Sequence, residues 1–184
     1  MTLPTLTTER LLLRPFVESD AAAVERLAGA REVADTTLHI PHPYPAGGGA
    51  WWIGTHASAW KEGAGLTLAI VARDAPDELL GTVGTSIVRE HARGELGYWI
   101  GAHAWGRGYA TEAARAMTAY AFETLRLHRV QARHFTRNPA SGRVMQKLGM
   151  RLEGVHREAY LRWERFEDVA VYGILAAEWA DGAR

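Results

Sequence analysis

At 184 residues, with 47% hydrophobic and 23% charged side chains, the chain has the size of one domain that buries roughly 70% of its unfolded surface. Lys and Arg together number 21 and so do Asp and Glu, a balance that argues against nucleic-acid or anionic-membrane partners, which draw on a basic excess. Without cysteine there is no disulfide, no Cys-ligated zinc and no thiol nucleophile, and the opening Met1-Thr2-Leu3-Pro4 with no long apolar run anywhere leads us to expect a soluble cytoplasmic protein.

In chain order, Arg10 to Phe16 is apolar with charged punctuation and a proline near its end, the pattern of a strand. Ser19-Asp20 then caps a helix to about Gly29, with Ala23, Val24 and Leu27 on one face. Leu38 to Gly49 carries three prolines and three consecutive glycines and reads as an exposed, mobile loop. Trp51, Trp52, Ile53, His56 and Trp60 follow at helical spacing, which favours core burial for the tryptophans. Leu66–Val71 and Leu79–Val88 form a hairpin about the turn Asp74–Asp77, and Glu95–Ile100 adds a third antiparallel strand. A helix over Ala110–Leu125, a strand over Arg129–Phe135, a helix over Pro139–Leu148 and strands around Arg151–Val155 and Asp168–Leu175 complete the chain. The strand-helix-strand unit requires a parallel crossover. The expected architecture is a mixed, mostly antiparallel α/β sheet of six to seven strands flanked by about four helices, as a single domain over 1–184.

Chemistry concentrates after Ile100, where Gly101-Ala102-His103-Ala104 leads into Trp105-Gly106-Arg107-Gly108-Tyr109-Ala110-Thr111-Glu112-Ala113. Glycines at 106 and 108 directly before a helix leave amides free in a tight turn, where the helix dipole also favours an anion: a pyrophosphate cradle. A nucleotide P-loop would need Lys-Ser/Thr where Tyr109-Ala110 stands, and a dinucleotide fingerprint would need Gly at 111, which is Thr. A plain strand-to-helix connection is the remaining alternative on these residues alone.

Trp105 to Ala113 resembles motif A of the GNAT acyltransferase superfamily, Gln/Arg-x-x-Gly-x-Gly/Ala, with Trp105, Gly108 and Ala110 at its first, fourth and sixth positions; Trp at the first position is similar to the RimJ/RimL-like N-acetyltransferase branch. Thr7 to Arg14 resembles that branch's first strand, Gly94 to Ile100 its fourth, and Asn138-Pro139-Ala140-Ser141 with Lys147-Leu148-Gly149-Met150 its motif B. These matches span nearly the whole chain in order.

The resemblance implies a GNAT-like fold and an acyl-CoA-dependent N-acyltransferase, most simply acetyl transfer from acetyl-CoA to a primary amine by direct attack in a ternary complex. It implies that the turn at Gly106, Arg107, Gly108, Tyr109, Ala110 and Thr111 binds the CoA pyrophosphate. It further implies that the fourth strand splays from the fifth around a bulge, that Trp99, Ile100 and Gly101 offer backbone groups to pantetheine and the thioester, and that Asn138 lies against the pantetheine arm. Asn138-Pro139 is also a good helix start on its own. The Tyr that protonates the leaving sulfur in much of the superfamily maps onto Met145, which has no proton to give, and the resemblance to the RimJ/RimL-like branch implies that Ser141, the nearest hydroxyl in the motif, serves directly or through water, with helix-end hydrogen bonding as its other reading. Glu95 is either the general base or a solvated strand residue, with Glu32, Asp35 and Glu158 as other carboxylates. His39, Tyr44, Tyr98 and Tyr160 are expected in the acceptor pocket, and His39 with His42 is read as pocket or surface rather than a metal pair, so no metal is expected. The acceptor is a protein N-terminal α-amine or a small amine, with the chain a monomer or homodimer. The rivals are a catalytically silent acyl-CoA sensor and a nicotinamide-dependent oxidoreductase, the latter disfavoured by Thr111.

Overall fold

A computed structural model of the chain describes residues 2–182; Met1, Ala183 and Arg184, at the ends of the expected 1–184 domain, lie outside the described residues. Antiparallel pairing of neighbouring segments builds most of the sheet. In chain order it comprises β1 (Leu6–Thr7), β2 (Leu11–Arg14), β3 (Gly65–Ala72), β4 (Ala75–Val88), β5 (Arg93–Ile100), β6 (Arg129–Phe135), β7 (Arg151–Arg162) and β8 (Arg165–Leu175), arranged spatially as β1-β2-β3-β4-β5-β6-β8-β7. The helices are α1 (Ala21–Ala28), α2 (Arg31–Ala34), α3 (Gly48–Gly54), α4 (His56–Glu62), α5 (Tyr109–Glu123), α6 (Pro139–Lys147) and α7 (Ala176–Gly182).

The fold class agrees with the sequence reading, and the counts do not. Eight strands replace six to seven, because β1 is two residues long and carries no readable period. The expected tryptophan helix is split by Thr55 into α3 and α4, and α2 and α7 are short helices in stretches to which the sequence reading assigned no element. The 74–77 turn is tighter than expected, since Ala75 already pairs with Ala72. Asp20 makes no side-chain cap; its carboxylate is buried against Arg14, at 2.7 and 2.9 Å, and accepts the Val17 amide at 2.9 Å. Trp60 is buried as expected, but Trp51 is 74% exposed.

Alternation along the strands separates two packed faces. Leu68, Ile70, Leu80, Val83, Leu96 and Ile100 meet Ala113, Ala114, Met117 and Ala121 of α5 on one face. Ala69, Leu79 and Trp99 meet Val24, Leu27 and Ala28 of α1 and Val33 of α2 on the other. The small residues on α5 let that helix sit close to the sheet beside the parallel crossover. β5 pairs with β6 only from Arg93↔Arg129 to Glu95↔Gln131, and beyond Glu95 the two strands part. The β4–β5 register meanwhile runs unbroken from Gly81↔Ile100 to Val88↔Arg93, so the opening arises without the expected bulge on that side. Among the described residues no helix is long and apolar enough to cross a membrane.

Candidate active site

The parting of β5 from β6 opens one cleft of about 1210 Å³, walled by the ends of both strands, the start of α5, the first turns of α6 and the segment between α2 and α3. Its phosphate-like end is backbone. Gly106 and Gly108 hold φ of +75° and +80°, left-handed values open to glycine at little cost. With Gly108 in this conformation, α5 begins with no side-chain cap, and the amides of Tyr109, Ala110 and Thr111 precede the first helical bond, Glu112 N to Gly108 O at 3.1 Å. Glu112, the carboxylate in that first turn, is held away: it accepts from Thr8 Oγ1 at 2.6 Å, from the Arg10 amide at 2.8 Å and from Arg10 Nε at 2.7 Å. Burial pushes its pKa up, but these bonds and the Arg10 charge outweigh it and leave the carboxyl below its ordinary value. The Arg107 carbonyl accepts from Arg10 Nη1 at 3.0 Å, and Arg107 does not wall the cleft.

The middle of the cleft is the open edge of β5. Gly101 N donates to Leu80 O at 2.8 Å, so antiparallel alternation turns the Trp99 and Gly101 amides toward β4 and those of Tyr98 and Ile100 toward the gap. The Ile100 carbonyl is taken by the Trp105 indole at 2.6 Å, which leaves the Ile100 amide as the donor facing the opening. Tyr98 had been expected for its hydroxyl; its backbone position is a second feature that the β4–β5 register alone reveals. Across the gap, the Asn138 side chain accepts the Ser141 amide at 3.3 Å and Pro139 follows it, so the expected cap is formed. The Tyr98 hydroxyl reaches over to Ser141, 2.9 Å from Oγ and 3.1 Å from the carbonyl oxygen. Burial pushes the Tyr98 phenol up to about 12, partly opposed by the Ser141 bond, so it stays protonated at any working pH.

At the far end stand Glu95, Arg133 and Tyr160. Glu95 Oε2 accepts from Gln131 Nε2 at 2.9 Å and is ion-paired with Arg133, whose Nη1 donates to the Tyr160 hydroxyl at 2.5 Å. Among the described residues lining the cleft, Glu95 is the one carboxylate. Asp35 is bound to Arg137 at 2.8 Å, Glu32 lies in a separate surface depression, and Glu158 is exposed on β7 outside the cleft. His39, Tyr44, Trp51, Trp52 and His56 complete the wall. His56 is 6% exposed with both ring nitrogens buried and unpartnered, its ring edge-on to Trp52 at 4.4 Å, and burial drives its pKa down to about 4. Sequence patterning placed His56 on a helix face and gave no sign of this isolation.

A family model described as "Acetyltransferase (GNAT) domain" matches residues 10–151. The chain is 33% identical over 173 residues to the uncharacterized N-acetyltransferase YoaA of Bacillus subtilis, spanning 94% of this chain and 97% of that protein. It is 27% identical to the [Ribosomal protein uS5]-alanine N-acetyltransferase of Escherichia coli over 96% of this chain and 93% of the relative. The structure of RimL, a ribosomal L7/L12 α-N-protein acetyltransferase solved in complex with coenzyme A, superimposes with a TM-score of 0.81 at 19% identity, covering 94% of this chain and 98% of that one. The relatives are named N-acetyltransferases, and nothing among them supports a catalytically silent sensor.

Proposed function

This chain belongs to the GNAT acetyltransferases, in their RimJ/RimL-like branch, and from that premise we propose that it acts as one domain carrying an acetyl group from acetyl-CoA to the α-amine of a peptide or protein N-terminus by direct attack. The observation that carries this reading is the single cleft joining the uncapped start of α5 to the open edge of β5 and on to the Glu95 end. The donor set suits CoA: amides at 109–111 for the pyrophosphate, Arg143 and Lys147 on the α6 wall for further phosphate, and an unpaired strand edge for the pantetheine amides. RimL, a neighbour by fold, was solved with CoA. In this reading the Ile100 amide donates to the thioester oxygen as charge builds there, Ser141 returns a proton to the departing sulfur, and Glu95 receives one from the amine through its second carboxylate oxygen or a water. A cytoplasmic enzyme with a protein acceptor would follow.

The α-amine is favoured over a lysine or polyamine by electrostatics. An α-amine of pKa about 8 loses roughly 1 to 1.5 kcal/mol to protonation at pH 7, and a lysine near 10.4 loses closer to 5. A cleft whose one carboxylate is already paired offers little to draw in or deprotonate a polycation. The test is thiol release from acetyl-CoA over a panel of Ala- and Ser-initiated peptides, an N-blocked lysine peptide, spermidine and an aminoglycoside. The peptides with free α-amines should turn over fastest; a preference for spermidine or the lysine peptide would overturn the reading.

A further inference from the structure

Leu38 to Gly49 was expected to be a mobile loop, yet the segment between α2 and α3 is pinned by arginines from later in the chain at two points, Asp35 just before that stretch and Ile40 within it. Arg137, between β6 and α6, donates to Asp35 Oδ2 at 2.8 Å and to the Asp35 carbonyl at 2.6 Å, while its Nε holds buried Glu167 of β8 at 2.8 Å. Arg162 stands at the tip of the β7–β8 hairpin, where Trp163 and Glu164 make the turn at φ of +45° and +64°. Its Nη2 donates to the Ala34 carbonyl at 2.9 Å and to the Ile40 carbonyl at 2.6 Å. Its guanidinium lies 4.3 Å over the Trp163 ring, and its Nε is buried. On the other side, His42 Nδ1 sits 2.7 Å from the Gly29 carbonyl and its ring 5.8 Å from Trp163. The stretch thus fixed, Thr36 to Pro41, is cleft wall, and Tyr160, two residues before Arg162 on the same strand, is cleft wall opposite it.

We propose that Arg162 is a positioning residue for the acceptor: by tying the hairpin tip to two carbonyls of the 34–40 segment it holds that wall in its binding shape, and so governs acceptor binding without touching either substrate. The proposal rests on the reading that this wall faces the amine. Two carbonyls converging on one nitrogen, with a flat ring behind the guanidinium, is an arrangement that a planar cation fills and an apolar side chain cannot. Ala34 O is also the last carbonyl of α2 and accepts from the Thr37 amide at 3.1 Å and the Thr37 hydroxyl at 3.0 Å as well.

The experiment compares Arg162→Met, Arg162→Lys, Trp163→Ala and His39→Ala in the full-length protein. Acceptor KM and kcat are measured with the fastest amine of the panel above, CoA Kd by calorimetry, and amide hydrogen exchange over residues 36–46. Arg162→Met should raise acceptor KM at least tenfold, leave kcat within threefold and CoA Kd within twofold, and speed exchange in 36–46; Arg162→Lys should recover part of the loss. Trp163→Ala, which keeps the arginine and loses its platform, should fall between and carries the test if Arg162→Met does not fold. Faster exchange with unchanged acceptor KM would make Arg162 purely structural and end the proposal. If His39→Ala raises acceptor KM while the Arg162 variants do not, the wall faces the acceptor and only the Arg162 role is wrong. Variants at both positions that change CoA Kd rather than acceptor KM would overturn the acceptor wall and the proposal together.

Discussion

Replacing Gly108 by alanine tests whether the turn before α5 holds phosphate through its backbone. A Cβ at this position would meet only Arg10 Nη2, at 3.5 Å, an ordinary contact, so crowding is not the cost. The cost is torsional, because at φ +80° an L-residue is disfavoured by about 1–2 kcal/mol. For a chain of this size, at roughly 2–4 °C per kcal/mol, Tm should fall by about 2–8 °C. If the turn escapes the strain by rotating to negative φ, the amides that follow swing off the phosphate position. Losing one charge-assisted amide bond, worth roughly 1.5–3 kcal/mol, corresponds to a CoA Kd raised on the order of 10- to 100-fold. Calorimetry with CoA reads the affinity, and acetyl-pantetheine, which lacks the phosphates, serves as the control donor. The variant should lose kcat/KM with acetyl-CoA and keep it with acetyl-pantetheine. A folded Gly108→Ala protein with CoA affinity within twofold of the original, or one equally impaired with both donors, would refute the cradle.

Ser141→Ala should lower kcat about 10²-fold with acetyl-CoA KM little changed, the cost of losing a positioned acid for a moderately poor leaving group; a kcat within twofold would leave the Ser141 hydroxyl with only its structural bond to Tyr98, the helix-end bonding expected of it being made by its backbone amide instead. Glu95→Gln should depress kcat/KM for an α-amine at pH 7 and recover toward the original as pH rises past about 8, where the amine deprotonates unaided, and a uniform loss at every pH would show that Glu95 only holds Arg133. His56 binds its proton far more weakly folded, near pH 4, than unfolded, near 6.5, so between those values the unfolded state holds more protons and stability falls as pH falls, by up to about 3 kcal/mol. Urea midpoints from pH 4 to 7 should therefore drop less steeply toward acid in His56→Leu than in the original protein, and parallel curves would show that another group carries the slope.

What the sequence made legible was whatever local patterning controls. The Asn138-Pro139 helix start and the 106–108 turn each depend on residues within a few positions of one another, and the parallel crossover follows from the strand-helix-strand order; each stands where it was expected. Trp51 was misplaced because it does not share a face with Trp60: the two lie on separate helices, α3 and α4, and nine residues at helical pitch put them on opposite sides, so Trp51 is exposed at the cleft while Trp60 is buried. The Pro- and Gly-rich 38–49 stretch was read as mobile because composition shows no regular element there, whereas its anchors, Arg137 and Arg162, come from about a hundred residues later. Glu95 was found, but its partners were not: Arg133 and Gln131 come from β6, and only the parallel register brings them alongside. The Tyr98–Ser141 bond likewise crosses a gap that no strand pattern announces.

The charge of the cleft bears on how an acceptor would be chosen. With its one lining carboxylate paired to Arg133 and hydrogen-bonded by Gln131, the site has little means of pulling a proton from a strongly basic amine. On the proposed reading Glu95 lightens the cost of deprotonation for an α-amine, and for a more basic amine the neutral fraction is left to the amine itself. Between an α-amine at pKa about 8 and a lysine at about 10.4 that fraction differs about 250-fold at neutral pH. Discrimination of this kind needs no contact with the acceptor's side chain, and it shrinks as pH approaches the lysine pKa. On the proposed reading the aromatic wall of Tyr44, Trp51 and Trp52 would sort acceptors by the residue beside the amine, through apolar contact rather than charge. The two layers of selection proposed here are separable: amine basicity would act at Glu95, and side-chain shape on the wall to which Arg137 and Arg162 are hydrogen-bonded.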